Sequence, residues 1–71
     1  MAKIIKAHIT GTVWKIEVKV GDQVDEGTTV AILESMKMEM PVEAEDSGTV
    51  KEISVKEGDP VKEGQPLMTL E

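Results

Sequence analysis

Short runs of alternating apolar and polar residues are the main feature of the chain. From Trp14 to Val20 an apolar residue stands at every second position, with charged residues between. Ile53 and Val55 alternate with polar neighbours in the same way. A period of two is the spacing of a strand that buries one face. We therefore expect β-strands here, with Trp14, the one aromatic residue, packed in the core or at its rim.

Glycine and proline interrupt these runs so often that a stretch of twelve positions without either occurs only around residues 28–39. Helix is therefore unfavourable almost everywhere. Valine and isoleucine, which fit strands better than helices, supply 15 of the 28 apolar residues. The predicted strands are 3–9, 12–19, 23–25, 29–34, 38–44, 49–56, 60–62 and 66–71. We expect them to pack as two four-stranded antiparallel sheets, in an all-β flattened barrel or sandwich.

The two halves of the sequence match without a gap at an offset of 37 residues. Of the 24 residues from 11 to 34, 13 are identical to those 37 positions later. Residues 1–34 thus correspond to 38–71, and three residues ending at Lys37 are left over. Neither half is long enough to bury its own apolar face. We expect one domain over residues 1–71, with halves related by a rotation near 180° and Lys37 at the axis.

Charge and cysteine content exclude several classes of function. The net charge is −6, with no arginine, and such a surface repels nucleic acids and anionic membranes. We expect neither as a partner. With no cysteine and one histidine, His8, no metal site is expected. The chain has no apolar run near the ~20 residues of a membrane helix and no signal-peptide h-region, so we expect a cytoplasmic, monomeric domain.

The unrepeated segment around Lys37 predicts a tight hairpin. Its neighbours are predicted strands, and two-residue hairpins prefer primed turns, which need positive φ at one or both central residues. Glycine suits such turns, whereas this chain offers Met36 and Lys37. A non-glycine residue at positive φ costs about 1–3 kcal/mol. Glycine would avoid that cost but could not present an amine.

The chemical role open to Lys37 is that of a modified residue. A solvated lysine amine is almost fully protonated at neutral pH, and a hairpin tip has no apolar pocket to favour the neutral form. We therefore expect neither a catalytic lysine nor an enzyme, since no other nucleophile, base or metal set is present. A lysine that another enzyme acylates fits better, with an ordinary solvated turn lysine as the alternative.

The segment around Lys37 resembles the attachment motif of biotinyl domains. Residues 34–39 read Glu-Ser-Met-Lys-Met-Glu, where that motif is usually written Ala-Met-Lys-Met. The pattern Val-x-x-Gly-Asp-x-Val-x-x-Gly, at 18–27 and again at 55–64, is typical of biotinyl and lipoyl attachment domains. The resemblance covers the whole chain. It implies the barrel-sandwich hybrid fold with quasi-two-fold symmetry, and the gapless repeat implies a member without a protruding thumb.

This resemblance implies a biotin carboxyl carrier. A biotin protein ligase would attach biotin to Nζ of Lys37, and the tethered group would carry a carboxyl group between a biotin carboxylase and a carboxyltransferase. Met36 and Met38 are adaptable contact residues, with packing on the barrel end as the alternative. Glu34 and Glu39 place charge symmetrically about the lysine, which suits steering of a ligase with basic groups.

Two alternatives remain at this stage. Lipoyl domains share the fold and the turns but usually carry Asp-Lys-Ala around the lysine. Lipoate on Lys37 is therefore the second candidate. An unmodified barrel-sandwich adaptor is the third, and it would need no lysine at the tip.

Overall fold

A computed structural model describes residues 3–71, which form eight β-strands. They are β1 (Lys3–Lys6), β2 (Gly11–Ile16), β3 (Gln23–Val24), β4 (Thr29–Ser35), β5 (Met38–Glu43), β6 (Gly48–Ile53), β7 (Pro60–Val61) and β8 (Pro66–Leu70). All eight predicted strands are present. Residues 3–71 contain no helix, so none of them belongs to a helix able to cross a membrane.

The strands β2 and β6 end earlier than the alternation predicts. The expected strand 12–19 stops at Ile16, whose N–H donates to Oε2 of Glu57 at 3.0 Å. Further on, the N–H of Lys19 donates to Oδ2 of Asp22 at 2.9 Å. Side chains thus accept backbone hydrogen bonds that a continuing strand would give to its neighbour. Alternation of apolar residues does not reveal this exchange.

The strands form two four-stranded antiparallel sheets in which each half of the chain contributes two strands to each sheet. One sheet has the order β1-β8-β6-β3 and the other β5-β4-β2-β7. Every pair of neighbouring strands in one sheet has a counterpart 37 residues away in the other. For example, Val13 pairs with Leu33 and Val50 with Leu70. This arrangement confirms the predicted barrel-sandwich hybrid and its quasi-two-fold symmetry.

The expected place of Lys37 on the symmetry axis is wrong. The hairpin β4–β5 corresponds to the pair β8–β1, because Ala31 opposite Val42 recurs as Met68 opposite Ile5. The rotation therefore carries the Lys37 hairpin onto the paired first and last strands, so the hairpin lies away from the axis. A segment at the middle of the sequence need not lie at the middle of the fold.

The core lies between the two sheets and contains only apolar side chains among the described residues. Its fully buried members come from both halves; the largest are Leu33, Leu67, Met68, Leu70, Val13, Val24, Val30, Val50 and Val61. Because the two halves bury their side chains against each other, the core is shared across the repeat.

Trp14 lies outside the core, so of the two expected places, core or rim, the core is wrong. A β-bulge between Val13 and Lys15 adds one residue to β2 relative to β4, so two successive residues lie outside the barrel. Val13 is fully buried, whereas Trp14 is 47% exposed and Val20 61% exposed. Ile16 returns to the core side and packs against it. The alternating run from Trp14 to Val20 therefore begins at a bulge, which its period of two does not reveal.

Matching turns lead from β2 to β3 and from β6 to β7. Gly21 and Gly58 have φ angles of 97° and 94°, which glycine adopts without strain. The carboxylates of Asp22 and Asp59 each accept the backbone N–H three residues earlier at 2.9 Å. The β2–β3 connection is only residues 17–22, so no thumb protrudes there.

Candidate attachment site

Lys37 lies in a two-residue turn that joins β4 to β5. The last paired residues of the two strands are Ser35 and Met38, which leaves Met36 and Lys37 as the turn. Their φ angles are 55° and 64°. Positive φ at both central positions is the pattern of the primed hairpin turn. The predicted tight hairpin is therefore confirmed, and its turn has two residues.

The turn holds two L-residues in a conformation that glycine adopts more easily. Such a residue at positive φ costs about 1–3 kcal/mol. The other positive-φ positions among residues 3–71 are all glycines. Glycine therefore occupies the turns in which only the backbone matters. Met36 and Lys37 instead adopt the strained conformation, at a turn whose side chains are exposed to solvent.

The side chains at the tip point into solvent. Met36 is 93% exposed and Met38 61% exposed, and Lys37 between them is also exposed. Within residues 3–71 the Lys37 ammonium engages in no hydrogen bond or ion pair. Met40, by contrast, is half-buried opposite Leu33 and contributes to packing. The amine and both neighbouring methionines are thus accessible to a second protein.

Two carboxylates stand directly behind the turn. Glu34 and Glu39 pair across β4 and β5 and are both exposed. Like charges directly opposite each other weaken a strand pair slightly, so these two carboxylates do not stabilise the hairpin. It gives the base of the tip a negative field, which attracts a partner that carries basic groups.

The tip is suited to covalent attachment rather than to binding in a pocket. A primary amine forms an amide with a carboxylic acid, and the exposed Lys37 leaves space for a long attached group. The structure has a groove of about 490 Å³ whose lining includes Lys6, His8 and Glu45, but neither residue of the turn, Met36 or Lys37, lines it. Among the described residues, no three carboxylates or histidines are grouped to hold a metal ion.

A close approach of β2 supports the strand that leads into the turn. A Cβ atom on Gly11 would collide with the carbonyl oxygen of Glu34 and lie 3.3 Å from Cβ of Ser35. On its other side Gly11 pairs with Val61 of β7. The repetition of this glycine as Gly48 is visible in the sequence, but its role beside the hairpin emerges only when β2 and β4 come together.

An all-β domain of two interlocked sheets with an exposed lysine in a strained hairpin has the features of the biotin- and lipoyl-attachment class. The model of the biotin/lipoyl family, described as "Biotin-requiring enzyme", matches residues 1–70. The chain therefore belongs to the biotin/lipoyl attachment family.

Curated relatives agree with this assignment. The chain is 53% identical over 41 residues to the Biotin/lipoyl attachment protein of Bacillus subtilis, a match covering 58% of this chain and 56% of that protein. It is 50% identical over 44 residues to the Biotinylated protein TB7.3 of Mycobacterium tuberculosis, covering 62% of each. The matched segments thus span less than two thirds of these relatives.

Solved structures show the same fold inside larger proteins. The urea carboxylase of Kluyveromyces lactis contains a segment that superposes on the whole chain with a TM-score of 0.93 and 39% identity, and it makes up 6% of that protein. A single-chain, multi-domain long-chain acyl-CoA carboxylase superposes on 96% of the chain with a TM-score of 0.89 and 28% identity, over 7% of its own length. The chain thus resembles a small part of each carboxylase.

Proposed function

We propose that this chain is a biotin carboxyl carrier in which Nζ of Lys37 holds biotin as an amide. The observation that carries the proposal is an exposed lysine at positive φ in the two-residue hairpin of a biotin/lipoyl domain. A biotin protein ligase would form the amide bond. A biotin carboxylase and a carboxyltransferase would then use the carrier in turn. When bound, biotin would supply a group that accepts a carboxyl group and releases it.

The domain contributes presentation rather than bond chemistry. The ladder between β4 and β5 continues to Ser35 and Met38, so the attachment point has a fixed base. A tether from that base confines the attached group to a small volume, and short tethers give effective concentrations on the millimolar scale. The carrier would thereby replace two bimolecular encounters with two local searches.

The residues around Lys37 suit recognition by enzymes that act on it. Met36 and Met38 expose flexible, polarizable side chains on both sides of the lysine, and such side chains adapt to different partner surfaces. Glu34 and Glu39 supply negative charge at the base of the tip. A ligase with basic groups near its active site would approach this end of the barrel preferentially.

Intact-mass spectrometry after coexpression with a biotin protein ligase tests the proposal. We expect the chain to gain the mass of one biotinyl group, and Lys37→Arg to abolish that gain with the urea midpoint unchanged. Lys51→Arg, at an exposed lysine on the outer side of β6, is the matched control and should be labelled fully. A label that survives in Lys37→Arg would contradict the assignment of the site.

Lipoate is the second candidate, because one curated relative is named for both groups. The two ligases would meet the same presented lysine, so the immediate neighbours must decide between them. We expect Met36→Asp combined with Met38→Ala to shift labelling from biotin towards lipoate when both ligases are offered. An unchanged preference would show that the tip does not encode the choice. If the unaltered chain acquired neither biotin nor lipoate, the unmodified adaptor would be favoured.

A further inference from the structure

The outer side of the sheet β5-β4-β2-β7 carries an exposed apolar patch. The register places Lys15 of β2 opposite Ile32 of β4, and Ile32 opposite Pro41 of β5. Trp14 lies in the bulge next to Lys15 and is 47% exposed. Pro41 is exposed and Ile32 half-buried. We name Trp14, Ile32 and Pro41 the indole face.

The pseudo-symmetry supplies an internal control for this patch. At the offset of 37 positions, Trp14 corresponds to Lys51, Ile32 to Thr69 and Pro41 to Ile4. These counterparts occupy the equivalent bulge and the equivalent register in the other sheet. The fold does not require tryptophan at this position, because Lys51 occupies the equivalent bulge of β6. An exposed indole is therefore present for a reason other than folding.

Acidic residues border the indole face at both ends of β5, two of the three on the side of the hairpin. Glu39 and Glu43 flank Pro41 along β5, and Glu34 lies beside Glu39 on β4. All three are exposed. The ammonium of Lys15, which adjoins Trp14, lies 3.7 Å from a carboxylate oxygen of Glu17, so its charge is partly compensated. The surface thus combines an apolar centre with a negative edge.

The indole face and Lys37 are close enough to be covered by one protein. Thr12 pairs with Glu34, which puts Gly11 level with Ser35, and Trp14 is three residues further along β2. At about 3.3 Å per residue, the indole lies roughly 10 Å below the level at which the hairpin turn begins. An interface of about 800 Å² per partner extends well beyond that distance.

We propose that the ligase that acylates Lys37 docks on the indole face, with an apolar pocket for Trp14 and basic groups opposite Glu34, Glu39 and Glu43. This inference rests on the proposed function and adds to it a docking surface outside the attachment motif. Tryptophan is among the residues that contribute most to binding when they fill a pocket at the centre of an interface. Glu34 and Glu39, next to the turn, orient the ligase so that its active site meets the hairpin.

Steady-state biotinylation of purified variants tests the docking surface. Trp14→Lys gives β2 the residue that β6 carries at the equivalent place, so it should fold normally. We expect KM for the variant to rise about tenfold or more, the size typical of losing an aromatic anchor, with kcat unchanged. Trp14→Phe should recover most of the affinity. Ile4→Lys, which removes an exposed apolar residue and adds the same charge on the opposite sheet, should change KM by less than about twofold.

The outcomes separate this inference from the proposed function. Unchanged KM in Trp14→Lys, with Lys37 still labelled, would overturn the docking surface and leave the carrier proposal standing. An equal rise in Ile4→Lys would show a general effect of charge and would also overturn it. Failure of the unaltered chain to be labelled would overturn both. Urea midpoints of all variants show whether a change in KM has its origin in unfolding.

Discussion

The Lys37 hairpin and the paired chain ends are two regions with the same backbone architecture and different surfaces. In the hairpin Leu33 lies opposite Met40, and in the pair β8–β1 Leu70 lies opposite Lys3. Both leucines are fully buried. At the hairpin a strained turn joins the strands and exposes Lys37, whereas β1 and β8 are paired without a turn between them.

The comparison separates what the fold needs from what the site adds. Whatever the fold needs occurs twice: the ladder, the bulge, the turn glycines and the leucines. Met36 and Lys37 at positive φ, the exposed Trp14 and the tighter approach at Gly11 occur once, on the hairpin side. Lying on a strand does not by itself mark a site here, because every strand has a twin in the other half. The departures from symmetry identify it.

The largest expected effect tests the symmetric part of the comparison. Leu33→Ala and Leu70→Ala each remove a fully buried side chain from equivalent places, and such changes cost about 2–5 kcal/mol. We expect the two free energies of unfolding, measured by urea titration, to fall by similar amounts. A much larger loss for one of them would mean that the halves do not share the core equally.

An intermediate effect distinguishes the two glycines at the starts of β2 and β6. A Cβ on Gly11 would collide with the carbonyl oxygen of Glu34, whereas a Cβ on Gly48 would lie 3.1 Å from the carbonyl oxygen of Glu71. Gly11 is held from behind by Val61 and Gly48 by Val24, so neither strand can withdraw and the carbonyl distances decide the difference. We expect Gly11→Ala to lose about 1–3 kcal/mol by overpacking and Gly48→Ala to lose less, both measured by urea unfolding.

The same pair of variants has a second readout at Lys37. The collision at Gly11 moves the strand that enters the turn, so Gly11→Ala should also slow biotinylation. Gly48→Ala adjoins Leu70 and Glu71 and should be labelled at the normal rate. Equal rates for the two variants would contradict a role of Gly11 in positioning the hairpin.

The smallest expected effect concerns strain in the turn. Met36→Gly places glycine at a φ of 55°, and relief of that strain should raise the free energy of unfolding by about 1 kcal/mol. Gly21→Ala is the reverse control, because its φ is 97° and no atom lies within 4 Å of the added Cβ. It should lose about 1 kcal/mol through backbone strain alone. A lower free energy of unfolding in Met36→Gly would show that the methionine side chain stabilises the fold by more than its positive φ costs.

Local patterns were sufficient for the strands and failed at the bulge. Period-two alternation and the spacing of glycine and proline identified all eight strands, because both are direct consequences of pleat and turn geometry. The expectation that Trp14 packs in the core or at its rim took no account of the bulge. One inserted residue between Val13 and Lys15 changes which face of the sheet the residues before it point to. Alternation along one strand cannot reveal such an insertion, because the insertion exists only relative to the partner strand.

The sequence by itself determined the repeat, the all-β class, a tight hairpin around Lys37 and Lys37 as the candidate residue, since each depends on residues that are near in the chain or on identity between the halves. The tertiary structure decided what depends on contacts between distant strands. It moved the hairpin off the axis, turned Trp14 to the outside and brought Gly11 against Glu34. The physical reason is that the two halves interlock, so the register of each strand is set by a partner far away in sequence.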